Sequence, residues 1–223
     1  MSIHDLERYI KGAGVTMEPL TPERRRAMTR EHLLEAAAVV FARNGYHGAS
    51  LDEVAAAAGF TKGAVYSNFK SKEDLFLALI DDRIERQTAA FSTELDTPAV
   101  PGDEQLPRIQ DLIARNFDRD MGALHFEFMA YAARNPETRA KLAVTARRER
   151  DAAIRLVTEE HERLGTVPAY PIPVLAQMML ALFDGLANLW FLDPELVDDD
   201  MLHDVLAFLY ANVDRPASPP ETT

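Results

Sequence analysis

A short run of polar and basic residues between positions 61 and 72 holds the side chains best suited to binding chemistry. The run comprises Thr61, Lys62, Gly63, Ala64, Tyr66, Ser67, Asn68 and Lys72. Its hydroxyl, phenol, amide and ammonium groups donate hydrogen bonds, and in nucleic acids such donors bind phosphate oxygens and base edges. The pattern therefore predicts a surface for the backbone of a nucleic acid. For Lys62, a phosphate and a base edge are both open as targets.

The sequence offers little for catalysis, and we expect no catalytic residue, no metal site and no cofactor. The chain has no cysteine, which excludes disulfides, thiolate nucleophiles and cysteine zinc sites and suits a reducing cytoplasm. Its six histidines form no metal-ligand pattern, and neither a phosphate-binding glycine loop nor a nucleophile elbow occurs. The run Glu159-Glu160-His161-Glu162 is interpreted as a solvated, charged helix face.

Two short helices joined by a glycine turn are predicted to position the polar run. Ser50 and Glu53 form a capping-box pattern that starts a helix over residues 51–58, and Gly59 ends it. Thr61 caps a second short helix that extends to about residue 69. The small or apolar residues expected where the helices cross are Val54, Ala55, Ala58, Val65 and Phe69. This arrangement is typical of a helix-turn-helix, whose second helix enters the major groove of DNA.

The rest of the chain is also predicted to be helical, which gives an all-α fold of about nine helices. Thr21-Pro22-Glu23 starts a helix that Gly45 ends, and Ser71 starts a long helix that reaches about residue 95. Further helices are expected at about 107–119, 123–134, 136–164, 174–192 and 199–213. Asn135 is predicted to cap the helix that begins at Pro136.

Charge is distributed unevenly along the chain. The net charge is −12, yet residues 19–72 contain eight basic and five acidic residues, which gives this segment +3 and leaves −15 for the remainder. A basic end on an acidic body is typical of a protein that approaches DNA with one end only. On the first helix, Arg24, Arg25, Arg26 and Arg30 either reach an adjacent groove or phosphate, or form an ordinary solvated face.

The stretch Ala49–Leu75, ASLDEVAAAAGFTKGAVYSNFKSKEDL, resembles the DNA-binding signature of the TetR family of transcriptional regulators. The likeness covers roughly residues 30–80, and the fragment at 133–137 (ARNPE) resembles a junction between two core helices of that family. It implies backbone contacts for Tyr66 and Lys72. Asn68 stands where many members carry histidine, and Ser67 where many carry a larger residue. With Ser50 and Arg30 added, the polar run forms the set of predicted DNA contacts.

The resemblance also implies a homodimer that binds a palindromic operator as a repressor and is released by a small molecule. We expect an N-terminal arm at 1–20, a helix-turn-helix domain at 21–70, a ligand-binding and dimerisation domain at 71–214 and a disordered tail at 215–223. Apolar residues recur at helical spacing over 174–192 and 199–213, as a four-helix dimer interface requires. A filled monomer core is the alternative, and Gln177, Asp184 and Asn188 argue against a membrane span at 174–192.

A partly apolar effector is expected to bind in the C-terminal domain. The predicted pocket residues are Phe117, Phe126, Met129, Met178, Phe183, Asp184 and Asn188. Aromatic and methionine stripes also fill ordinary cores, which is the competing interpretation. Two functional alternatives stay open: an activator of the same fold, and a small-molecule-binding or adaptor protein that does not act through DNA. The charged N-terminus does not resemble a signal peptide, so a cytoplasmic location is expected.

Overall fold

The computed structural model describes residues 21–96 and 105–215, within which the chain forms nine α-helices. They are α1 (Pro22–Gly48), α2 (Leu51–Ala57), α3 (Lys62–Asn68), α4 (Lys72–Asp96), α5 (Gln105–Ala114), α6 (Arg119–Arg134), α7 (Pro136–Leu164), α8 (Ile172–Leu192) and α9 (Asp199–Asn212). The predicted all-α fold is confirmed. The predicted arm at 1–20 and residues 216–223 of the predicted tail lie outside the described residues. We call α1–α3 the head and α5–α9 the body; α4 joins them.

The boundaries of the head helices follow local signals in the sequence. Thr21 caps α1 by accepting a hydrogen bond from the N–H of Arg24 at 3.2 Å. Gly45 interrupts the last turns of α1 with φ +69°, a left-handed conformation that glycine adopts without steric cost. The helical turn after Gly45 extends α1 to Gly48, beyond the end that the sequence predicted.

The turn between α2 and α3 is a Schellman motif built on Gly59, which has φ +71°. The N–H of Phe60 donates to the carbonyl of Ala55 at 2.9 Å, and the N–H of Gly59 donates to the carbonyl of Ala56 at 3.2 Å. These bonds satisfy carbonyls that the end of a helix would otherwise leave unpaired. The short reversal brings α3 against α2, as a helix-turn-helix requires.

An aromatic core joins the head to two helices outside it. The ring of Phe76 in α4 lies 4.2 Å from that of Phe128 in α6 and 5.4 Å from that of Phe41 in α1. Tyr46 lies 5.0 Å from Phe128, centroid to centroid, and packs edge-on against it. Because α4 and α6 both supply rings, the head shares its core with the connecting helix and with the body.

The body packs around α7 and α8. Helix α7 lies against both α4 and α8, and α5 lies against α9. A separate apolar cluster connects α5, α8 and α9; its buried members are Ile109, Ile113, Leu186, Val197, Leu202 and Leu206. Several residues of the two predicted apolar stripes therefore fill the core of a single protomer.

Three local features differ from the sequence prediction. Val167–Pro168 pairs as a short antiparallel strand with Asp214–Arg215, although no strand was expected and Arg215 was assigned to the tail. Asn135 precedes α7 but makes no cap bond, because its side-chain amide donates instead to the carbonyl of Tyr131 at 2.7 Å. The local sequence preferences of single residues do not predict these partners, because tertiary packing determines them.

Helix α8 is long and apolar enough to cross a membrane by length and composition, with a mean hydropathy of 1.5 over its most apolar window. Only 17% of that window is buried in the protomer. The alternative in which the whole of α8 is buried in the core of a monomer is therefore wrong. The exposed apolar residues on α8 and the neighbouring α9 are Val174, Met178, Leu189, Leu192, Met201 and Phe208. Exposed apolar surface of this extent marks an interaction face.

Candidate DNA-binding surface and effector cavity

Helix α3 has one buried and one exposed face. Val65 is 0% exposed and Phe69, which follows the helix, is 2% exposed, so both pack against the head. The exposed positions are Lys62, Gly63, Tyr66 and Ser67, whereas Ala64 and Asn68 are half-buried. Tyr66 is 57% exposed and makes no hydrogen bond within the described residues. The predicted binding residues of α3 thus lie on the side that a DNA groove can reach.

The capping hydroxyls of Ser50 and Thr61 differ in whether their hydrogen is free to donate to DNA. The Ser50 hydroxyl donates to Glu53 Oε2 at 2.8 Å and accepts from the Glu53 N–H at 3.2 Å, so its hydrogen is used inside the capping box. The bonds that the Ser50 hydroxyl and the Ser50 N–H donate to Glu53 Oε2 lower the pKa of that carboxyl. The Thr61 oxygen accepts from the N–H of Ala64 at 3.2 Å, and its hydrogen finds no acceptor among the described residues. Of the two, Thr61 is the better phosphate donor.

Lys72 is fixed in place by the turn between α1 and α2. Its Nζ donates to the carbonyl of His47 at 3.0 Å and to that of Ala49 at 2.9 Å, and lies 4.9 Å from the centroid of the Tyr46 ring. An ammonium group has three donors, so one remains for a phosphate. These contacts also explain why a lysine occupies the first turn of a helix, where acids are usually favoured.

The other polar side chains of α3 bond within the head. Lys62 forms an ion pair with Asp52 of α2. The Ser67 hydroxyl donates to the carbonyl of Ala64 at 2.9 Å, and the Asn68 amide donates to the same carbonyl at 2.8 Å. Both side chains bend back onto their own helix. A base contact by Ser67 or Asn68 would require its side chain to leave this bond.

The arginines of α1 border this surface. Arg26 Nη2 donates to the carbonyl of Ser67 at 3.1 Å, which ties α1 to the end of α3. The guanidinium of Arg30 lies 4.7 Å from the centroid of the Phe69 ring, a cation–π contact. Arg30 therefore lies beside the end of α3 with its charge at the surface, as the prediction of a DNA contact requires.

The body contains an apolar cavity of ≈ 130 Å³ between α4, α5, α7, α8 and α9. Residues from all five helices line it, among them Phe91, Ile113, Val157, Met179, Phe183 and Tyr210. A cavity of about 150 Å³ with a hydrocarbon lining stays dry and binds benzene. The cavity thus accommodates an apolar group of about that size.

The seven predicted pocket residues are dispersed, and among them only Phe183 lines the cavity. Phe126, Met129 and Met178 are 40%, 44% and 54% exposed, and Phe117 packs against Trp190 with 5.6 Å between ring centroids and the ring planes tilted by 36°. Asp184 lies near Glu149 and raises the pKa of that carboxyl beyond the effect of burial. Asn188 is half-buried on α8 and is not part of the lining. Helical spacing identified residues that share a face, but not the neighbour that each face meets.

Three polar residues, Glu160, His161 and Tyr210, contribute to the cavity lining, and the first two belong to the run that the sequence assigned to a solvated face. That interpretation is wrong for His161, which is 8% exposed; its Nδ1 lies 2.7 Å from the carbonyl of Val157 and its Nε2 lies 3.0 Å from Asp214 Oδ1. Glu160 binds Arg163 through two bonds of 2.7 and 2.9 Å. Burial and the charge of Glu160 raise the pKa of the Tyr210 phenol to about 12, so it stays protonated and able to donate.

Two long-range links, one between α4 and α7 and one between α6 and the head, have no signal in the sequence. Glu73, at the start of α4, accepts from the Thr138 hydroxyl and from Lys141 Nζ, both at 2.7 Å. Glu127 of α6 accepts from the N–H groups of Tyr46 and His47. The partners are separated by more than 60 residues in the chain, as the separations of 65 and 81 residues show, so local patterns cannot pair them.

Comparison with known proteins agrees with this geometry. Residues 33–79 match the family described as "Bacterial regulatory proteins, tetR family", and residues 106–213 match "BetI-type transcriptional repressor, C-terminal". The HTH-type transcriptional activator FasR of Mycolicibacterium smegmatis is 25% identical over 174 residues, which span 77% of this chain and 76% of that protein.

Solved structures share the fold. The transcriptional regulator FadR of Bacillus subtilis, in complex with stearoyl-CoA, superposes with a TM-score of 0.61 at 20% identity over 82% of this chain and 98% of its own. A transcriptional regulator from Saccharomonospora viridis, in complex with choline, gives 0.60 at 22% identity over 85% of this chain and 100% of its own.

The two family matches lie in the expected order and together cover more than half of the chain. The chain therefore belongs to the TetR family: it is a helix-turn-helix transcriptional regulator with a helical, ligand-binding C-terminal domain, and not an enzyme.

Proposed function

We propose that the protein is a cytoplasmic, homodimeric repressor that binds a palindromic operator and releases it when a small apolar molecule enters the body. Residues 21–70 form the DNA-binding domain and residues 71–214 the ligand-binding and dimerisation domain. The observation that carries the proposal is the division of α3, in which Val65 is buried while Lys62, Gly63 and Tyr66 are exposed. The C-terminal match to a repressor type supports the direction of control.

The proposed DNA contacts fall into two groups. Backbone contacts come from Thr61, Tyr66, Lys72 and Arg30, together with the N-terminal turn of α3 at Gly63, where a phosphate can approach peptide N–H groups. Lys62 is the proposed contact to base edges. Ala64, Ser67 and Asn68 are secondary candidates for base contacts. Ser50 stabilises the start of α2 through its capping box. Its proposed role in DNA binding is to position this helix, and its hydroxyl does not contact DNA.

The face of α8 and α9 is the proposed dimer interface. Leu192 and Phe208 are 73% and 66% exposed in the protomer, Val174 and Met178 are also exposed, and Met178 and Phe208 line one surface groove between α8 and α9. Packing α8 and α9 against their copies would make a four-helix interface and cover these residues. A two-fold dimer presents two copies of α3 to half-sites about 34 Å or more apart, so the operator is palindromic.

The cavity supports an apolar effector. Its lining is hydrocarbon apart from Glu160, His161 and Tyr210, and the first two already have partners. At ≈ 130 Å³ it holds a benzene-sized group. A longer ligand must therefore separate the lining helices, which include α4. Because α4 carries Lys72 at its other end, we expect the effector to widen the spacing of the two heads in the dimer.

Fluorescence anisotropy on DNA from the protein's own upstream region tests operator binding. We expect specific binding by the wild type, and weakened but measurable binding by Tyr66→Ala and Lys72→Ala. Lys72→Ala should also reduce the slope of log affinity against log salt by about 1, since one phosphate contact is lost. Arg150→Ala, which removes a charge from α7, is the control. No specific binding to this DNA or to sites selected from random sequence would favour a ligand-binding protein that does not act through DNA.

Thermal unfolding in the presence of toluene or choline distinguishes an apolar effector from a cationic one. Toluene should raise the temperature of thermal unfolding in proportion to the logarithm of its concentration, because it binds only the folded state. Choline should not, because the lining supplies no unpaired carboxylate for its charge. A rise with choline alone would overturn the apolar assignment.

Activation is the second candidate, because the similar FasR of Mycolicibacterium smegmatis is an activator. Both roles use the same operator contacts. Transcription in vitro from the bound promoter distinguishes them: the proposed repressor lowers transcript yield, and toluene restores it.

A further inference from the structure

Glu127 of α6 holds the turn that precedes the helix-turn-helix. Its Oε2 accepts from the Tyr46 N–H at 2.7 Å and its Oε1 accepts from the His47 N–H at 2.8 Å. Charge-assisted bonds of this length are among the stronger ones in proteins. One carboxylate of the body therefore fixes two successive peptide groups of the head.

The turn is shaped to receive this carboxylate. Gly45 has φ +69°, and a Cβ built on it would lie 2.7 Å from Glu127 Oε2, so a side chain at this position would displace the acid. On the other side of the turn, Lys72 binds the carbonyls of His47 and Ala49. The head is thus held between Glu127 on α6 and Lys72 on α4.

The same helix α6 is packed closely against α8. A Cβ built on Gly122 would lie 2.8 Å from Phe191 Cδ2, and the Phe126 ring centroid lies 5.2 Å from that of Phe191. Helix α8 in turn lines the cavity through Leu175, Met179 and Phe183. A continuous chain of contacts therefore runs from the cavity through α8 and α6 to the head, separate from the path along α4.

We propose that Glu127 is a positioning residue that passes a displacement of α8 to the head through α6, as a second connection beside α4. The inference rests on the proposed function, since it presumes an effector that moves α8. Its physical basis is geometric. A hydrogen bond weakens steeply beyond about 3.2 Å, so a shift of α6 by about 1 Å breaks one or both bonds and frees the turn that orients α2 and α3.

Hydrogen exchange of the full-length protein without DNA tests the connection and does not depend on operator binding. Glu127→Gln keeps the shape but presents one acceptor instead of two, so exchange at the Tyr46 and His47 amides should accelerate roughly tenfold. Phe191→Ala removes the ring between α6 and α8 and should accelerate the same amides. In the Glu127→Gln background, Phe191→Ala should add little. Val144→Ala, at an exposed apolar residue of α7, and Glu137→Gln, at an exposed acid of the same helix, are the matched controls.

Phe191→Ala without effect on these two amides, or with the same effect in both backgrounds, would overturn the proposal and leave Glu127 a purely structural contact. Accelerated exchange throughout the buried amides of α2 in Glu127→Gln would mark unfolding of the head, and Glu127→Asp then replaces it in the cycle. Operator anisotropy is a separate readout: if the wild type fails to bind DNA while the exchange cycle is non-additive, the proposed function fails and the connection stands.

Discussion

The head and the body of this protein are packed in different ways. The core that the head shares with α4 and α6 buries complete aromatic and aliphatic side chains, with Phe41 and Phe76 at 1% and Val54 and Val65 at 0% exposure. The body leaves an apolar cavity inside and an apolar face outside, where Phe208 is 66% exposed. The head is thus complete within one protomer. The body leaves apolar surface without a packing partner in the protomer at two places, inside at the cavity and outside at the α8–α9 face.

The largest difference is expected for a matched pair of phenylalanine truncations. Phe76→Ala should lower the free energy of unfolding by about 3–5 kcal/mol, because it leaves a cavity in a closely packed core. Phe208→Ala should change it by less than about 0.5 kcal/mol in the separated protomer, as is usual for surface positions. Urea denaturation at low protein concentration measures both. Sedimentation equilibrium should show weaker dimerisation for Phe208→Ala but not for Phe76→Ala. Equal losses of unfolding free energy in the two variants would contradict the difference in packing between the two regions.

Larger side chains should also distinguish the two regions: the head should be destabilised by added volume, and the cavity of the body should accept it. Val65→Leu inserts a methylene into the fully packed head and should cost about 1–3 kcal/mol. Val157→Leu places the same methylene at the wall of the cavity, where space exists, and should be neutral or stabilise by up to about 1 kcal/mol. Thermal unfolding compares them, and toluene binding should weaken only in Val157→Leu. A destabilised Val157→Leu would mean that the cavity is closed in solution.

The smallest effect concerns the junction between the two regions and depends on pH. Glu73 is desolvated, which opposes ionisation, but hydrogen bonds from Lys141 and Thr138 outweigh this and lower its pKa below the ordinary 4.5. A folded-state pKa below the unfolded one stabilises the fold above pH 4.5, and this contribution is lost as pH falls through the lower value. Glu73→Gln should thus be less stable than wild type at neutral pH, by roughly 1 kcal/mol or less, and the gap should close on acidification.

Urea midpoints between about pH 7 and pH 3 measure this gap. Glu137→Gln, at an acid whose side chain is 86% exposed and which binds the same Lys141, is the control and should show little change. A gap for Glu73→Gln that widens on acidification would contradict the assigned direction of the pKa shift.

The sequence predicted the head more completely than the body, and the reason is the range of the interactions. Ser50, Gly59 and Thr61 act on residues within a few positions, so their spacing determines the helix boundaries. Lys72 was predicted from the sequence as a phosphate contact, which stays a prediction, but the carbonyls that hold its side chain lie 23 and 25 residues earlier and had no signal. In the body, Phe183 was identified as a lining residue while Met178, on the same helix, faces outward.

The missing information concerns which helix faces meet. Helical periodicity places Met178 and Phe183 on α8 but does not state which side contacts α4, α5 and α9. Glu127 had no distinguishing feature as an acid within α6, since its partners are peptide groups 80 and 81 residues away. Contacts of this range are decided by the three-dimensional packing of long helices, which a single sequence does not display.

The separation between the apolar α8–α9 face and the DNA-binding surface has a consequence in genetics. If two copies pair through Phe208 and its neighbours, a copy with a defective α3 still pairs with a normal copy. Such mixed dimers carry only one working head, so alleles that damage the head are dominant over the wild type. Alleles that disrupt the α8–α9 face produce chains that cannot enter a dimer and are recessive. The position of a mutation along this chain thus determines its pattern of inheritance in a cell that carries both alleles.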